Sequence, residues 1–465
     1  MDAPKTPPKK TPTPAFVKRI EKISQSDPCL FHDVFKCTRC GRCAIACQKI
    51  QGLSPMEFDE GSHRWKFCPT ISHGPNVAFC VYCGQCILAC PNSTIMEKEH
   101  IQEVRNAISN PEKIVIAQTA PAIRASIGET QGMPPGTLLT GRMIAALRRL
   151  GFDKVLDTAF GADLTIMEEA NELIERINSG KNLPMTTSCC PAWIRYVERF
   201  FPNLLSNVSS CKSPHQMFGT IAKTYYAKKH SLNPANIVVV SIMPCVAKKF
   251  ECLRPEMNSS GYKDVDYVLT TRELGKMLNN ANIKLHTLPD EFYDPVMGSA
   301  SGGGTIFGAT GGVMEAVLRT AADRLEGKEL KKIEYSEVRG LEGVRKASVQ
   351  LGGKKINIAI VHGLVNAKKL LEEVQKKKTN LHFIEIMACP GGCVGGGGQP
   401  IPTNPEIVKK RALAIYHQDA ILPLRKSHKN PEIISLYKEF LSHPGSEKSH
   451  KLLHTKYRER KSRHY

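Results

Sequence analysis

Two runs of cysteine near the N-terminus share one spacing, Cys37-x2-Cys40-x2-Cys43-x3-Cys47 and Cys80-x2-Cys83-x2-Cys86-x3-Cys90-Pro91. Thiolates spaced this way suit iron–sulfur chemistry. Three of them wrap one face of a 4Fe-4S cubane, and the fourth, carried off on the next helical turn, points to the other cluster. The repeat therefore predicts a pair of cubanes, one held by Cys37, Cys40, Cys43 and Cys90 and the other by Cys80, Cys83, Cys86 and Cys47. Structural zinc is the competing use of such residues, but a tetrahedral zinc site rarely takes four cysteines so closely spaced. Cys29 and Cys68 stand outside both runs and read as ordinary thiols.

Later cysteines follow apolar runs: Cys189 and Cys190 after Pro184-Met-Thr-Thr, Cys245 after Ile242-Met243-Pro244, and Cys389 and Cys393 after Glu385-Ile-Met387. Ligands in open α/β sheets collect at the carboxyl ends of strands, so these residues are expected to converge on one site. Six glycines between Gly391 and Gly398 are a poor choice for a core and imply that something approaches the backbone closely there. A phosphate loop is the alternative, yet no Gly-Lys-Ser or Gly-Lys-Thr follows this run or the Ser301–Gly312 run. In the stretch Leu164–Asn178, Glu169, Glu172 and Arg176 recur at helical spacing, which for an isolated helix reads as a solvated face.

The elements that must position these groups are legible in outline. Beyond Glu97, apolar runs at Ile114–Ala117, Val238–Ile242, Ile356–Val361 and Phe383–Met387 alternate with amphipathic stretches, the pattern of parallel strands and crossover helices. The 465 residues allow two to four domains, and 41% apolar with 23% charged residues excludes a fibrous or wholly disordered chain. Seventeen cysteines, an odd number scattered through a long chain, favour metal chemistry over a disulfide framework. The longest apolar stretch, Ile237–Ala247, is too short to span a membrane. The Pro- and Lys-rich start lacks the apolar core of a secretory signal, so a cytoplasmic protein is expected, or one in the matrix of a hydrogenosome or other anaerobic organelle.

The paired cysteine runs resemble the bacterial two-cluster ferredoxins, although Gln48 follows Cys47 where those usually have proline, and the linker from Gln48 to Phe79 is long. Three further segments, Thr187-Ser-Cys-Cys-Pro-Ala-Trp193, Met243-Pro-Cys-Val-Ala-Lys-Lys-Phe-Glu251 and Glu385-Ile-Met-Ala-Cys-Pro-Gly-Gly-Cys-Val-Gly-Gly-Gly-Gly-Gln-Pro400, resemble the signatures of the iron-only (FeFe) hydrogenases. The likeness runs from about Phe35 to Tyr457. It implies an α/β catalytic domain of two lobes, with parallel and mixed sheets and helices on both faces, preceded by an α+β ferredoxin-like domain. It also implies a six-iron active site, the H-cluster. Cys190, Cys245, Cys389 and Cys393 match the cubane ligands, with Cys393 bridging to a two-iron subcluster that carries carbonyl, cyanide and an azadithiolate. Lys248 matches the donor to a cyanide. Met243, Met387 and Phe307 match the apolar wall, and backbone near Pro121 and Ser213–Pro214 closes the pocket. Cys189 takes the family's proton-transfer position, feeding Glu169, Ser209 and Glu172 with Arg176 nearby. His215 departs from the glutamine usual among relatives.

The resemblance divides the chain into a Pro/Lys-rich tail (1–28), a two-cluster domain (29–100), a catalytic domain (101–404) and a helical segment like the family's small subunit (405–465). The expected activity is reversible reduction of protons to H2 by a monomer fed by reduced ferredoxin and supplied with its two-iron unit by maturation enzymes. The formal charge of +20 supports an acidic partner, while the basic ends lack the interleaved aromatics of a nucleic-acid reader. A non-catalytic iron–sulfur assembly protein and a hydrogen sensor are the alternatives. The intact signature segments disfavour the first, and the presence of Cys189 disfavours the second.

Overall fold

The computed structural model describes residues 27–33, 36–38, 40–53, 56–59, 64–67, 79–331 and 333–460. Cys68 and nearly all of the expected N-terminal tail lie outside these residues.

In the head, each cysteine run is a loop that turns through a left-handed glycine into a short helix. Gly41 (φ 72°) precedes α1 (Arg42–Gln51), and Gly84 (φ 76°) precedes α2 (Gln85–Ala89). A side chain would be strained at that φ, so glycine lets the chain double back and bring loop cysteines beside helical ones. Strand β1 (Leu30–His32) pairs antiparallel with β4 (Ile95–Glu97) and ties the two ends of the head together. Within the linker, β2 (Met56–Asp59) and β3 (Arg64–Phe67) form an antiparallel pair that no pattern in the sequence announced.

The body contains two four-stranded sheets. One is parallel throughout, in the order β6 (Lys154–Asp157), β5 (Ile114–Thr119), β8 (Ile237–Met243), β9 (Tyr267–Thr270). Strands β5 and β8 are buried almost end to end, which explains why their residues are mostly apolar. The other sheet is mixed. Strands β10 (Val344–Leu351) and β11 (Lys354–His362) are antiparallel, while β12 (Phe383–Met387) and β7 (Met185–Thr186) continue parallel to β11. The two-lobed α/β architecture expected from the family resemblance is the one observed.

Helix α3 (Thr158–Ser179) joins the lobes and begins six residues before the expected Leu164. Asp157 caps its start by accepting from Ala159 N at 2.9 Å and is held by Arg124 at 2.7 Å, while Gly180 ends it in a left-handed turn. Phe160, Leu164 and Met167 pack into the core of the parallel sheet, and Ala162, Ile166, Ala170 and Leu173 pack into that of the mixed sheet. The other helices that carry site residues are α4 (Pro191–Phe200), α5 (Pro214–Ile221), α6 (Ala247–Glu251) and α7 (Gly312–Glu326). The C-terminal segment wraps both lobes through α8 (Pro405–Ile421) and α9 (Glu447–Leu453). Ile415 enters one core, Leu452 and Leu453 enter the other, and Arg411 holds Glu129 through two bonds of 2.7 and 2.6 Å.

The head does not pack alone. Leu30, Val81, Tyr82 and Ile87 share one apolar core with Trp193, Val197, Phe250, Ile384 and Ile386 of the body. No helix among the described residues is long and apolar enough to cross a membrane.

Candidate active site at the strand ends

Strands β7, β8 and β12 deliver Cys190, Cys245, Cys389 and Cys393 to one place. Burial pushes the Cys393 thiol up to about 12, and Cys190 beside it adds to the shift. Cys245 is raised by burial and then by Cys190 and Cys393, and Cys389 by burial and then by Cys83 of the head, Cys245, Cys190 and Cys393. Four buried sulfurs that would repel one another as thiolates are stable as thiolates only around a cation, which fits the donor set of a cubane. Cys190 also sits at the start of α4, followed by Pro191 at the first helical position, where free N–H groups favour a negative sulfur.

The glycine run has a structural reason. A Cβ on Gly396 would lie 2.2 Å from Pro244 O, and one on Gly397 would lie 2.1 Å from Cys83 O. The group that comes close to this backbone is thus the protein itself, since Gly396 lets the Cys393 loop reach the Cys245 loop, and Gly397 lets both meet the head. Side chains unmarked by any sequence motif fasten that junction. Gln51 Nε2 donates to Ala388 O at 2.8 Å, Gln85 Nε2 to Gly395 O at 2.9 Å, and Arg195 Nε to Cys80 O at 2.7 Å. Arg272 grips Glu97 and donates to Gln399 O at 2.6 Å and Gly397 O at 2.8 Å. No spacing rule could have revealed them, because each joins residues far apart in the chain.

Within the head, Cys47 lies among Cys80, Cys83 and Cys86, and Cys43 lies with Cys37 and Cys90. The fourth cysteine of each run thus lies beside sulfurs of the other run. Cys40 is exposed, whereas Cys83 is buried against the body and close enough to Cys190 and Cys389 to raise their neighbourhood's negative potential.

On the other side of the strand-end cysteines, Cys189 shares an apolar cluster with Phe307 and Met387. Its thiol is far from an ordinary one. Burial, and then the carboxyl of Glu169, push it well up, so the group starts as a protonated donor. Pro121 is buried, and the next residue, Ala122, lies against Gly308, directly after Phe307. Met243 is buried but belongs to the core of the parallel sheet rather than to the Cys189 cluster. Lys248 Nζ donates to Cys189 O at 3.0 Å and to Glu251 Oε2 at 2.7 Å, leaving one N–H for a further acceptor. His215 Nε2 donates to Glu251 at 2.7 Å and its Nδ1 lies 3.1 Å from Ser241 Oγ, so the histidine occupies a fully buried polar slot behind Lys248. Ser213 Oγ is buried without a partner. An orphaned hydroxyl at the start of α5 and a spare ammonium proton beside Cys189 suit a bound group rich in acceptors.

The acidic stripe of α3 is not a solvated face. Glu169 is 1% exposed with neither oxygen bonded, and burial followed by the charge of Glu172 moves it up to about 8. Ser209 Oγ donates to Glu172 Oε2 at 2.9 Å, and Arg176 holds Glu172 Oε1 at 2.6 Å while donating to the carbonyls of residues 182 and 206–208. Cys189, Glu169, Ser209, Glu172 and Arg176 therefore run in order from the buried cysteines to a partly exposed end. Glu385, on β12, was missed by the sequence reading. It is pushed up to about 7 by burial and accepts from Gly311 N at 2.6 Å and Met314 N at 2.8 Å, which fixes the start of α7.

A strand-end cluster of thiols, with two further cysteine runs packed against one side of it, is the donor set of an iron–sulfur protein. Residues 113–397 match the iron only hydrogenase large subunit, C-terminal domain, and residues 405–460 match the iron hydrogenase small subunit. The chain belongs to the iron-only hydrogenase family, whose active centre is the iron–sulfur H-cluster. It is 48% identical over 435 residues to NADP-reducing hydrogenase subunit HndD of Solidesulfovibrio fructosivorans, spanning 92% of this chain and 74% of that protein. Iron hydrogenase 1 of Clostridium pasteurianum is 46% identical over 446 residues, covering 95% and 78% of the two chains. The apo [FeFe]-hydrogenase HydA1 of Chlamydomonas reinhardtii superposes with a TM-score of 0.70 at 40% identity, over 78% of this chain and 99% of that one. A more distant relative, cytosolic iron-sulfur assembly component 3 of Bos taurus, is 29% identical over 81% of this chain and 82% of its own.

Proposed function

We propose that this hydrogenase interconverts protons and H2 with electrons carried to and from ferredoxin through its head. The observation that carries the reading is the position of the strand-end cysteines between Cys83 of the head and Cys189 of the acid–base chain. Cys37, Cys40, Cys43 and Cys90 hold an outer cubane near exposed Cys40, and Cys80, Cys83, Cys86 and Cys47 hold an inner one against the body. Cys190, Cys245, Cys389 and Cys393 would hold the third, and Cys393 would also hold the two-iron unit with its carbonyl, cyanide and azadithiolate ligands. When bound, that unit would supply the redox chemistry that exchanges two protons and two electrons with H2.

The chain's own residues do the rest. Lys248, oriented by Glu251, offers its remaining N–H to a cyanide, and Ser213 offers its free hydroxyl. Phe307 and Met387 exclude water, with Pro121 and its neighbours closing the pocket and Met243 backing the strand ends from the core of the parallel sheet. A proton entering past Arg176 is accepted by Glu172, passed by Ser209 to Glu169, and delivered through water to the Cys189 sulfur. Glu169, poised at about 8, can both take and give it near neutral pH.

The deciding measurement is infrared spectroscopy of protein produced with its maturation enzymes. Carbonyl and cyanide bands with H2-dependent shifts are expected; cubanes without those bands after maturation would favour the iron–sulfur assembly role borne by the bovine relative's name. The donor is tested separately. Faster turnover with reduced ferredoxin than with reduced nicotinamide cofactor is expected, and the reverse would align the chain with the relative named as an NADP-reducing hydrogenase subunit.

A further inference from the structure

Cys211 and His454, 243 positions apart in the chain, face each other across an antiparallel bridge. Flanking bonds from Lys212 N to Leu453 O and from Thr455 N to Ser210 O, both 2.8 Å, fix that pairing. Glu172 reaches the same point from α3, and one ligand atom each of Glu172, Cys211 and His454 lies within 4.8 Å of the others. The Cys211 sulfur is 4.0 Å from Glu172 Oε2.

The histidine is already oriented as a ligand would be. Its Nε2 donates to Glu168 Oε2 at 3.0 Å, and Glu168 also accepts from the Tyr437 hydroxyl and from Gly445 N at 2.8 Å. Burial alone would raise this carboxyl, but the three donors hold it below its usual range, so it stays ionised and keeps the proton on Nε2. The lone pair of Nδ1 then faces outward to Ser210 Oγ, 2.8 Å away. A carboxylate behind an imidazole is the arrangement that fixes tautomer and ring direction in metal-binding histidines. The surroundings also attract a cation. Glu172 and Glu168 both press on the buried Cys211, and among the described residues Arg176 is the one cation bonded to Glu172.

We propose that Glu172 Oε2, Cys211 Sγ and His454 Nδ1 form a Zn2+ site that clips the C-terminal segment to α3. Sulfur, imidazole and carboxylate are the donors zinc takes in tetrahedral sites, with water completing the set. Bonds of about 2.3 Å to sulfur and about 2.0 Å to nitrogen and oxygen require the three atoms to close by roughly 1 Å, which a turn of the Glu172 side chain can supply. Binding replaces the thiol proton by the metal and releases that proton to solvent, while Ser210 gives up its bond to Nδ1. No iron ligand is involved. Because Glu172 is the outer carboxylate of the proposed relay, occupancy should also stop proton delivery, and this consequence rests on that reading.

The test uses matured holoenzyme titrated with ZnCl2. About one zinc per chain is expected with iron content unchanged, and zinc-edge X-ray absorption should show one sulfur among nitrogen and oxygen ligands. Turnover should fall in step with occupancy and return with EDTA. Cys211→Ser and His454→Gln should weaken zinc binding by at least roughly 100-fold, beyond what loss of a supporting contact costs, while keeping zinc-free activity. Zinc held without sulfur, or held equally by both variants, overturns the site. Zinc held as described with turnover unaffected keeps the site and overturns the relay through Glu172.

Discussion

Cys189 and Cys190 are adjacent in sequence and opposite in surroundings. Cys190 opens α4 among N–H donors and other sulfurs, whereas Cys189 lies beside Glu169 and the apolar Phe307 and Met387. Cys190→Ser is expected to lose the third cubane and with it the two-iron unit. Cys189→Ala should assemble with native infrared bands and still lose activity by about 10²–10⁴-fold, the usual contribution of a positioned acid–base group. Near-normal turnover of that variant would show that protons take another route. His215 gives a separate expectation about acid stability. Burial, then the charge of Lys248, hold its imidazole down at about 4 against 6.5, and Glu251 is held at about 2 against 4.5. Stability from His215 is full above pH 6.5 and is lost as pH falls toward 4; stability from Glu251 is lost lower, between 4.5 and 2. The histidine alone should cost about 2 kcal/mol between pH 7 and pH 5. His215→Gln, which can still donate to Glu251, should lack that loss in guanidinium unfolding measured at the two pH values.

At the scale of elements, the decisive contact is the one between the second cysteine run and the glycine loop after Cys393. Gly397→Ala places a methyl group on the Cys83 carbonyl, and neither backbone can yield without moving the head. The expected result is turnover that falls with ferredoxin and much less with a small dye able to reach the body directly. Equal loss with both donors would mean that the head does not carry electrons. Both halves of this contact are visible in sequence as glycines, but their partnership is not. A glycine announces that something comes close without saying what. The opposite case is α3, whose acidic stripe follows the pattern of a solvated helix until Ser209, Ser210 and the C-terminal segment cover it.

For the whole molecule, three sets of four cysteines imply about twelve irons per chain when protein made without maturation enzymes is reconstituted anaerobically. That preparation should be inactive. Iron near four per chain with bound zinc would contradict the assignment of the head. Ferredoxin-driven turnover should also slow as salt rises, since attraction between a basic surface and an acidic carrier is screened within about 10 Å at 0.1 M. Salt-independent turnover would point to a partner recognised by apolar contact.

The sequence by itself determined the chemistry. Local spacing places three cysteines around one cubane face and sends the fourth away, and such geometry is set within ten residues of chain. Strand positions were legible for the same reason, because Ile114–Ala117 and Val238–Ile242 are apolar-rich runs within the strands observed at Ile114–Thr119 and Ile237–Met243. What only the tertiary structure decided is which distant groups share a low-dielectric pocket. The upward shifts of Glu169 and Glu385, the buried His215–Glu251–Lys248 chain and the meeting of Cys211 with His454 all arise from burial and from partners tens to hundreds of residues away. Spacing along a chain encodes local geometry, whereas the cost of a buried charge depends on everything folded around it.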